Sequence, residues 1–120
     1  MITRFGTVSL WVDNFETAIS FYRDVLGLTM ITRPGEVPQF QVGNSFLVLL
    51  KGNFCPPADA FPPDFPQVTF EVENLEQAVK ALHDCGVAPD SFIEERRDSR
   101  WFKLHDPAGN LIELIEIKSV

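Results

Sequence analysis

The sequence predicts an α+β fold made of two tandem βαβββ modules, and three observations carry that reading. The segment Val8-Ser9-Leu10-Trp11-Val12, then Asn14-Phe15-Glu16-Thr17-Ala18-Ile19, returns as Val68-Thr69-Phe70-Glu71-Val72, then Asn74-Leu75-Glu76-Gln77-Ala78-Val79. Asn14 and Asn74 stand 60 positions apart, as do Ile19 and Val79. In both copies a period-two alternation passes into a helical period behind an asparagine, the residue type that caps helix N-termini. Two copies of one small module imply pseudo-symmetric halves, with a cleft between them as the expected place for a ligand.

The elements follow in order. In residues 5–12, Val8, Leu10 and Val12 share one face and Phe5, Thr7, Ser9 and Trp11 the other, as in a strand. Asn14 caps a helix whose Phe15, Ala18, Ile19, Tyr22 and Leu26 recur at helical spacing, and Gly27 stops it. Strands over 28–33, 37–42 and 46–50, separated by the turns Pro34-Gly35 and Gly43-Asn44, complete the first module, residues 5–52. Residues 53–66 contain Pro56, Pro57, Pro62, Pro63 and Pro66, which remove backbone donors and fix φ, so this stretch reads as an irregular connector. Its Phe54, Phe61 and Phe65 are expected to pack on a neighbouring surface or on a second subunit.

The second module, residues 67–118, repeats the plan: a strand over 67–72 and a helix over 74–85 with Leu75, Ala78, Val79 and Leu82 inward. Asn74 with Gln77 suggests a capping box, and Gly86 is the stop. Strands are expected over 91–95, 100–105 and 111–117, the last two joined by Asp106-Pro107-Ala108-Gly109-Asn110. Half of a 120-residue chain buries too little apolar surface to fold alone, so residues 1–120 are read as a single domain.

Composition narrows the function. A net charge of −7 and a pI near 4.7 disfavour nucleic acid and anionic membrane surfaces, both of which need basic patches, and suit a neutral or cationic small molecule. Eleven Phe and two Trp make the chain aromatic-heavy, an excess that needs a use in core, pocket or interface. Cys55 and Cys85 sit too far from any disulfide pattern and read as thiols kept reduced. Met1-Ile2-Thr3-Arg4 lacks the pattern of a signal peptide and no apolar run reaches bilayer length, so a cytoplasmic location is expected.

Two further motifs, Val12-Asp13-Asn14-Phe15-Glu16 leading to Phe21-Tyr22-Arg23-Asp24-Val25-Leu26-Gly27-Leu28, and Asp106-Pro107-Ala108-Gly109-Asn110-Leu111-Ile112-Glu113-Leu114, resemble the vicinal oxygen chelate superfamily. That superfamily groups glyoxalase I, extradiol dioxygenases, fosfomycin-resistance enzymes and bleomycin-resistance proteins. The resemblance implies a curved mixed sheet around a cleft and a homodimer. In metal-using members it also implies four inward ligand positions, which land here on Thr7, Gln67, Glu113 and Leu47 or its neighbour Val48. One carboxylate, one amide, one hydroxyl and one hydrocarbon are a poor set for a divalent cation.

With the inward phase set by these family positions, and on the seventh strand by Leu104 at the helix-facing position typical of the family, the resemblance implies that Thr7, Ser9 and Trp11, Thr69 and Glu71, Trp101, Lys103 and His105, and Glu113 face inward. The expected ligand-binding residues are Thr7, Ser9, Trp11, Phe40, Leu47, Gln67, Thr69, Trp101, Lys103 and Glu113, with Phe40 read as core or rim before ligand contact. Trp101 is read equally as packing and as a stacking surface. Glu113 is satisfied either by a neighbour such as Lys103, Arg100 or Gln67 or by a cationic ligand, because a carboxylate in an apolar cleft needs a partner. The run Glu94-Glu95-Arg96-Arg97-Asp98 reads as a solvated loop, and His83 as solvent-facing.

The leading expectation is therefore a metal-free binding protein, resembling the bleomycin-resistance branch, that sequesters an aromatic or cationic molecule such as an antibiotic. It has no cofactor, no catalytic residue, and no nucleic acid or membrane partner. The alternative is a metal-dependent lyase, isomerase or dioxygenase holding Zn, Ni, Mn or Fe through Gln67, Glu113 and His105, with Glu113 as ligand or base.

Overall fold

A computed structural model describes residues 1–31, 37–52 and 68–118. The chain forms two compact units, Met1–Cys55 and Pro56–Val120. The connector 53–66, Gln67 and the Pro34-Gly35 turn lie outside the described residues, as does Cys55.

The first unit contains β1 (Thr7–Val12), α1 (Phe15–Ser20), β2 (Thr29–Ile31), β3 (Gln39–Val42) and β4 (Ser45–Lys51). The second contains β5 (Val68–Glu71), α2 (Leu75–Asp84), β6 (Glu94–Glu95), β7 (Ser99–His105) and β8 (Leu111–Ile117). The sheet orders are β1-β4-β3-β2 and β5-β8-β7-β6, so the repeat in the sequence is a repeat in topology. In each unit the last strand pairs in parallel with the first and antiparallel with the third. The parallel pair is made possible by the helical crossover that precedes the hairpins.

Both helices start where their asparagines predict. Asn14 Oδ1 accepts the Thr17 amide at 3.1 Å, and Asn74 Oδ1 accepts the Gln77 amide at 2.9 Å, each satisfying a donor that has no partner within the helix. The expected single helix over the first module is different in form. After Ser20 the chain widens into a π-helical turn, Phe21–Val25, with Leu26 N–H donating to Phe21 C=O at 2.9 Å. The wider turn lets the consecutive rings of Phe21 and Tyr22 both be buried, meeting edge to face at 5.2 Å. An ordinary helix would hold neighbouring side chains about 100° apart.

The hairpin turns set register. Val42 pairs with Ser45 across the two residues Gly43-Asn44, and Gly43 takes φ +58°, a conformation that suits glycine at the first position of such a turn. The β7–β8 turn is longer, with His105 paired to Leu111. It is built on Asp106, whose Oδ1 accepts the Ala108 amide at 3.0 Å and the Asn110 amide at 2.8 Å, while Oδ2 accepts Asn110 Nδ2 at 2.8 Å. Asp106 is nearly buried, so these donors replace its water.

The strand expected over 91–95 is shorter, because residues 90–91 attach to β7 by other means. Ser91 Oγ accepts the Lys103 amide at 2.9 Å and the Asp90 amide donates to Lys103 C=O at 2.7 Å, so only Glu94 and Glu95 form the ladder.

One face of each sheet is covered by its helix. In the first unit Leu10, Val12, Phe40, Leu47 and Leu49 are buried with Ala18, Phe21 and Tyr22. Tyr22 and Phe40 rings meet at 5.9 Å. In the second unit Phe102, Leu104, Ile112 and Leu114 are buried together with Leu75 and Leu82 of α2. The start of α2 is pinned to the sheet by charge. Arg100 donates to both Glu76 oxygens at 2.6 and 2.8 Å and to Glu116 Oε2 at 2.6 and 2.9 Å, and Glu116 Oε1 accepts the Leu75 amide at 3.2 Å. These bonds to Arg100 hold the Glu76 carboxyl down at about 2, from an ordinary 4.5. Among the described residues no helix is long and apolar enough to cross a membrane.

Two outcomes follow from this packing. Phe40→Ala removes a fully buried ring and is expected to lower unfolding free energy by roughly 3–5 kcal/mol in urea titrations. Because the Glu76 carboxyl is depressed on folding, its contribution is present above pH 4.5 and is lost as pH falls toward 2. The stability gap between the natural chain and Glu76→Gln, measured by urea midpoint across pH, should therefore shrink over that window and be steady above it.

Candidate functional site

The face of each sheet opposite its helix is the open face, and cross-strand partners identify who shares it. In the second unit Thr69, Glu113 and Lys103 form one row across β5, β8 and β7. Glu71, Ile115, Trp101 and Glu94 form the next across β5, β8, β7 and β6. Leu111 and His105 lie opposite one another at the turn end. The expectation that Thr69, Glu71, Trp101, Lys103, His105 and Glu113 share a face is thus what the register gives.

Within the first row, Thr69 Oγ1 donates to Glu113 Oε1 at 3.3 Å, which orients a half-exposed carboxylate. Lys103 is the residue opposite Glu113, so an ammonium shares its row. In the second row the Trp101 indole N–H donates to Glu94 Oε2 at 2.6 Å, and the Arg96 guanidinium lies 5.5 Å from the centroid of the Trp101 ring. Reading 94–98 as a plain solvated loop therefore missed two side chains that hold Trp101. Only the β6–β7 register brings them back onto the face, and no local motif announces it. His105 Nδ1 pairs with the carboxylate of Asp90, so this half-exposed histidine already has an acidic partner.

In the first unit the open face carries Thr7, Ser9 and Trp11, opposite Phe46, Val48 and Leu50 respectively, with Gln41 and Gln39 beyond. Trp11 is half-exposed and lies over Gly52, where an added Cβ would come within 2.7 Å of its Cε3. Phe40 and Leu47 are on the other face: they pair with each other, are 0% and 2% exposed, and belong to the helix-covered core. The register counterpart of Glu113 is Val48, which faces Ser9 as Glu113 faces Thr69. Aligning the two hairpins by their Gly-Asn pairs points to Leu47 instead, because the β3–β4 turn is two residues long and the β7–β8 turn five.

The donor chemistry can be tested for a metal. Of the four positions that the family resemblance marks, Gln67 lies outside the described residues, and the others are Thr7, Val48 and Glu113. One hydroxyl, one hydrocarbon and one carboxylate do not fit a divalent cation, which needs several charged oxygens or imidazoles to offset its dehydration. Among the described residues no three of His, Cys, Asp and Glu come together as a metal-holding group.

Comparisons with known proteins agree with the architecture. A lactoylglutathione lyase from Agrobacterium tumefaciens superposes with a TM-score of 0.74 at 24% identity, covering 96% of this chain and 94% of its own. An antibiotic binding protein from a Streptomyces species superposes at 0.78 with 23% identity, covering 98% of both chains. A glyoxalase/dioxygenase from Nostoc punctiforme gives 0.79 at 20% identity, covering 97% of this chain and 92% of its own. At these identities the likeness is one of fold. No curated protein matches the sequence. Residues 4–114 match a described family over most of the chain, and on that match the protein belongs to the Glyoxalase/Bleomycin resistance protein/Dioxygenase superfamily.

Proposed function

We propose that this chain is a metal-free binding protein that holds a small flat molecule, aromatic and cationic, against the open face of its second unit. The observation that carries the reading is the pair of adjacent rows, Thr69–Glu113–Lys103 and Glu71–Ile115–Trp101–Glu94, which set the Trp101 ring beside Glu94 on a face that also carries Glu113, Glu71 and one ammonium, Lys103. Ring stacking and apolar burial supply affinity, and Glu113, oriented by Thr69, supplies polar discrimination. The net charge of −7 favours approach of a cation. The Streptomyces neighbour is described as binding an antibiotic, and an antibiotic of this shape and charge is the ligand class we favour here. No bond is made or broken.

The second reading is a metal-dependent lyase, isomerase or dioxygenase, favoured by the orientation of Glu113 and by the Agrobacterium neighbour described as a lactoylglutathione lyase. It would draw on Gln67, Glu113 and His105. In this reading those residues would hold a metal supplying Lewis-acid chemistry, with Glu113 as ligand or base. The same proposal sets the protein in the cytoplasm as a homodimer, since pairing covers exposed strand edges and apolar side chains such as Phe5 and Ile117.

Calorimetry against a panel of planar cationic and neutral aromatic antibiotics is expected to show binding to cationic members. Glu113→Gln should weaken it by about tenfold, the cost of losing a charge-assisted contact. Absence of binding across the panel overturns the reading. Near-stoichiometric Zn, Ni, Mn or Fe in protein purified without chelator also overturns it, in favour of the enzyme. Light scattering should give the mass of a dimer, and a monomer at micromolar concentration would refute the assembly.

A further inference from the structure

The Trp101 ring is held by the chain's own residues at its edge and on its face. Glu94 takes the indole N–H at 2.6 Å, and Arg96 places its guanidinium 5.5 Å from the ring centroid. The β6–β7 hairpin explains how. Glu94 pairs with Trp101, Glu95 with Arg100, and the Arg96 amide donates to Ser99 C=O at 2.8 Å. The turn is thus confined to Arg97 and Asp98, and Arg96 continues the alternation of Glu94 onto the open face, diagonal to Trp101. Arg96 is exposed while Trp101 is half-buried, so the guanidinium stacks from the solvent side.

We infer that Arg96 is a built-in occupant of the Trp101 surface: an incoming ligand displaces it, and the ligand class is a planar delocalised cation such as an amidinium or guanidinium. This rests on the proposed binding function and gives it a chemistry. A guanidinium is flat, delocalised and weakly hydrated, which is why it stacks on a ring. A ligand group replacing it meets the same ring face, with Glu94 at the indole edge and Glu71 in the same row beyond Ile115. A neutral aromatic must break the Arg96 contact and gives no charge in return. Displacing Arg96 costs every ligand that takes this ring face the same factor in affinity, so the preference for a planar cation comes from the ring and from Glu94 at its edge. Arg96 immediately precedes the two-residue turn at the sheet edge, and its side chain can swing away with no change in the ladder.

The test uses the full chain in a Trp11→Phe background, where Trp101 is the sole tryptophan of the two in the sequence. Acrylamide quenching of its fluorescence should rise in Arg96→Ala and stay unchanged in Arg97→Ala, which removes the same charge from the adjacent turn position. Benzamidine and its neutral isostere benzamide are then titrated by calorimetry. Arg96→Ala should tighten benzamidine by about two- to fivefold, as expected for removing an exposed cation–π competitor, with Arg97→Ala unchanged and Trp101→Leu abolishing the gain. The natural chain should prefer benzamidine to benzamide. Quenching that does not rise in Arg96→Ala overturns the capping. Quenching that rises while benzamidine affinity is unchanged or falls shows that Arg96 is not a stand-in for a ligand, and overturns the displacement. Neither result depends on the antibiotic panel, whose failure would instead remove the function proposed above.

Discussion

Strand register is the constraint on which the rest of this structure depends. β4 and β8 each pair in parallel on one side and antiparallel on the other, so the residue opposite each of their positions is fixed twice. Side chains alternate with a period of two, so a slip of one residue would turn Leu47 and Leu49, or Ile112 and Leu114, out to the open face and bring Val48 or Glu113 under the helix. Burial of the apolar set opposes that slip. The turns at Gly43-Asn44 and Asp106–Asn110 oppose it as well, the first by a positive φ at glycine and the second by side-chain bonds from a nearly buried aspartate.

The same scaffold carries different chemistry in its two copies. The open face of the first unit sets hydroxyls and amides among hydrocarbons, in Thr7, Ser9, Gln39, Gln41, Phe46 and Val48, with Trp11 resting on Gly52. That of the second unit concentrates charge, in Glu71, Glu94, Lys103 and Glu113 around Trp101. A repeated topology does not require a repeated face, since only the helix-covered side must remain apolar for the unit to fold. Charge also appears on the helix side of the second unit, but there Arg100 joins two carboxylates and ties the first turn of α2 to β8, so it anchors an element.

Much of this was written in local pattern. The asparagine caps, the glycine stops, the alternation of β1, β5 and β8 and the Asp106–Asn110 turn each follow from a few neighbouring residues. The π-helical turn was not legible, because burying both Phe21 and Tyr22 is decided by the sheet surface they meet. The short β6 was not legible either, since Ser91 spends its hydroxyl on the Lys103 amide across the sheet.

For the candidate site the division is similar. The sequence by itself determined the duplicated order of elements, the apolar stripes of the helices and, within single strands, the pairing of Thr69 with Glu71 and of Trp101 with Lys103 on one face, because alternation along a strand is a property of the chain. Tertiary structure alone decided which residue stands beside which. It sent Phe40 and Leu47 under the helix, made Val48 the counterpart of Glu113 and brought Glu94 and Arg96 onto Trp101. Those placements depend on hairpin lengths and pairings between residues far apart or on different strands, and no period in a single strand encodes them.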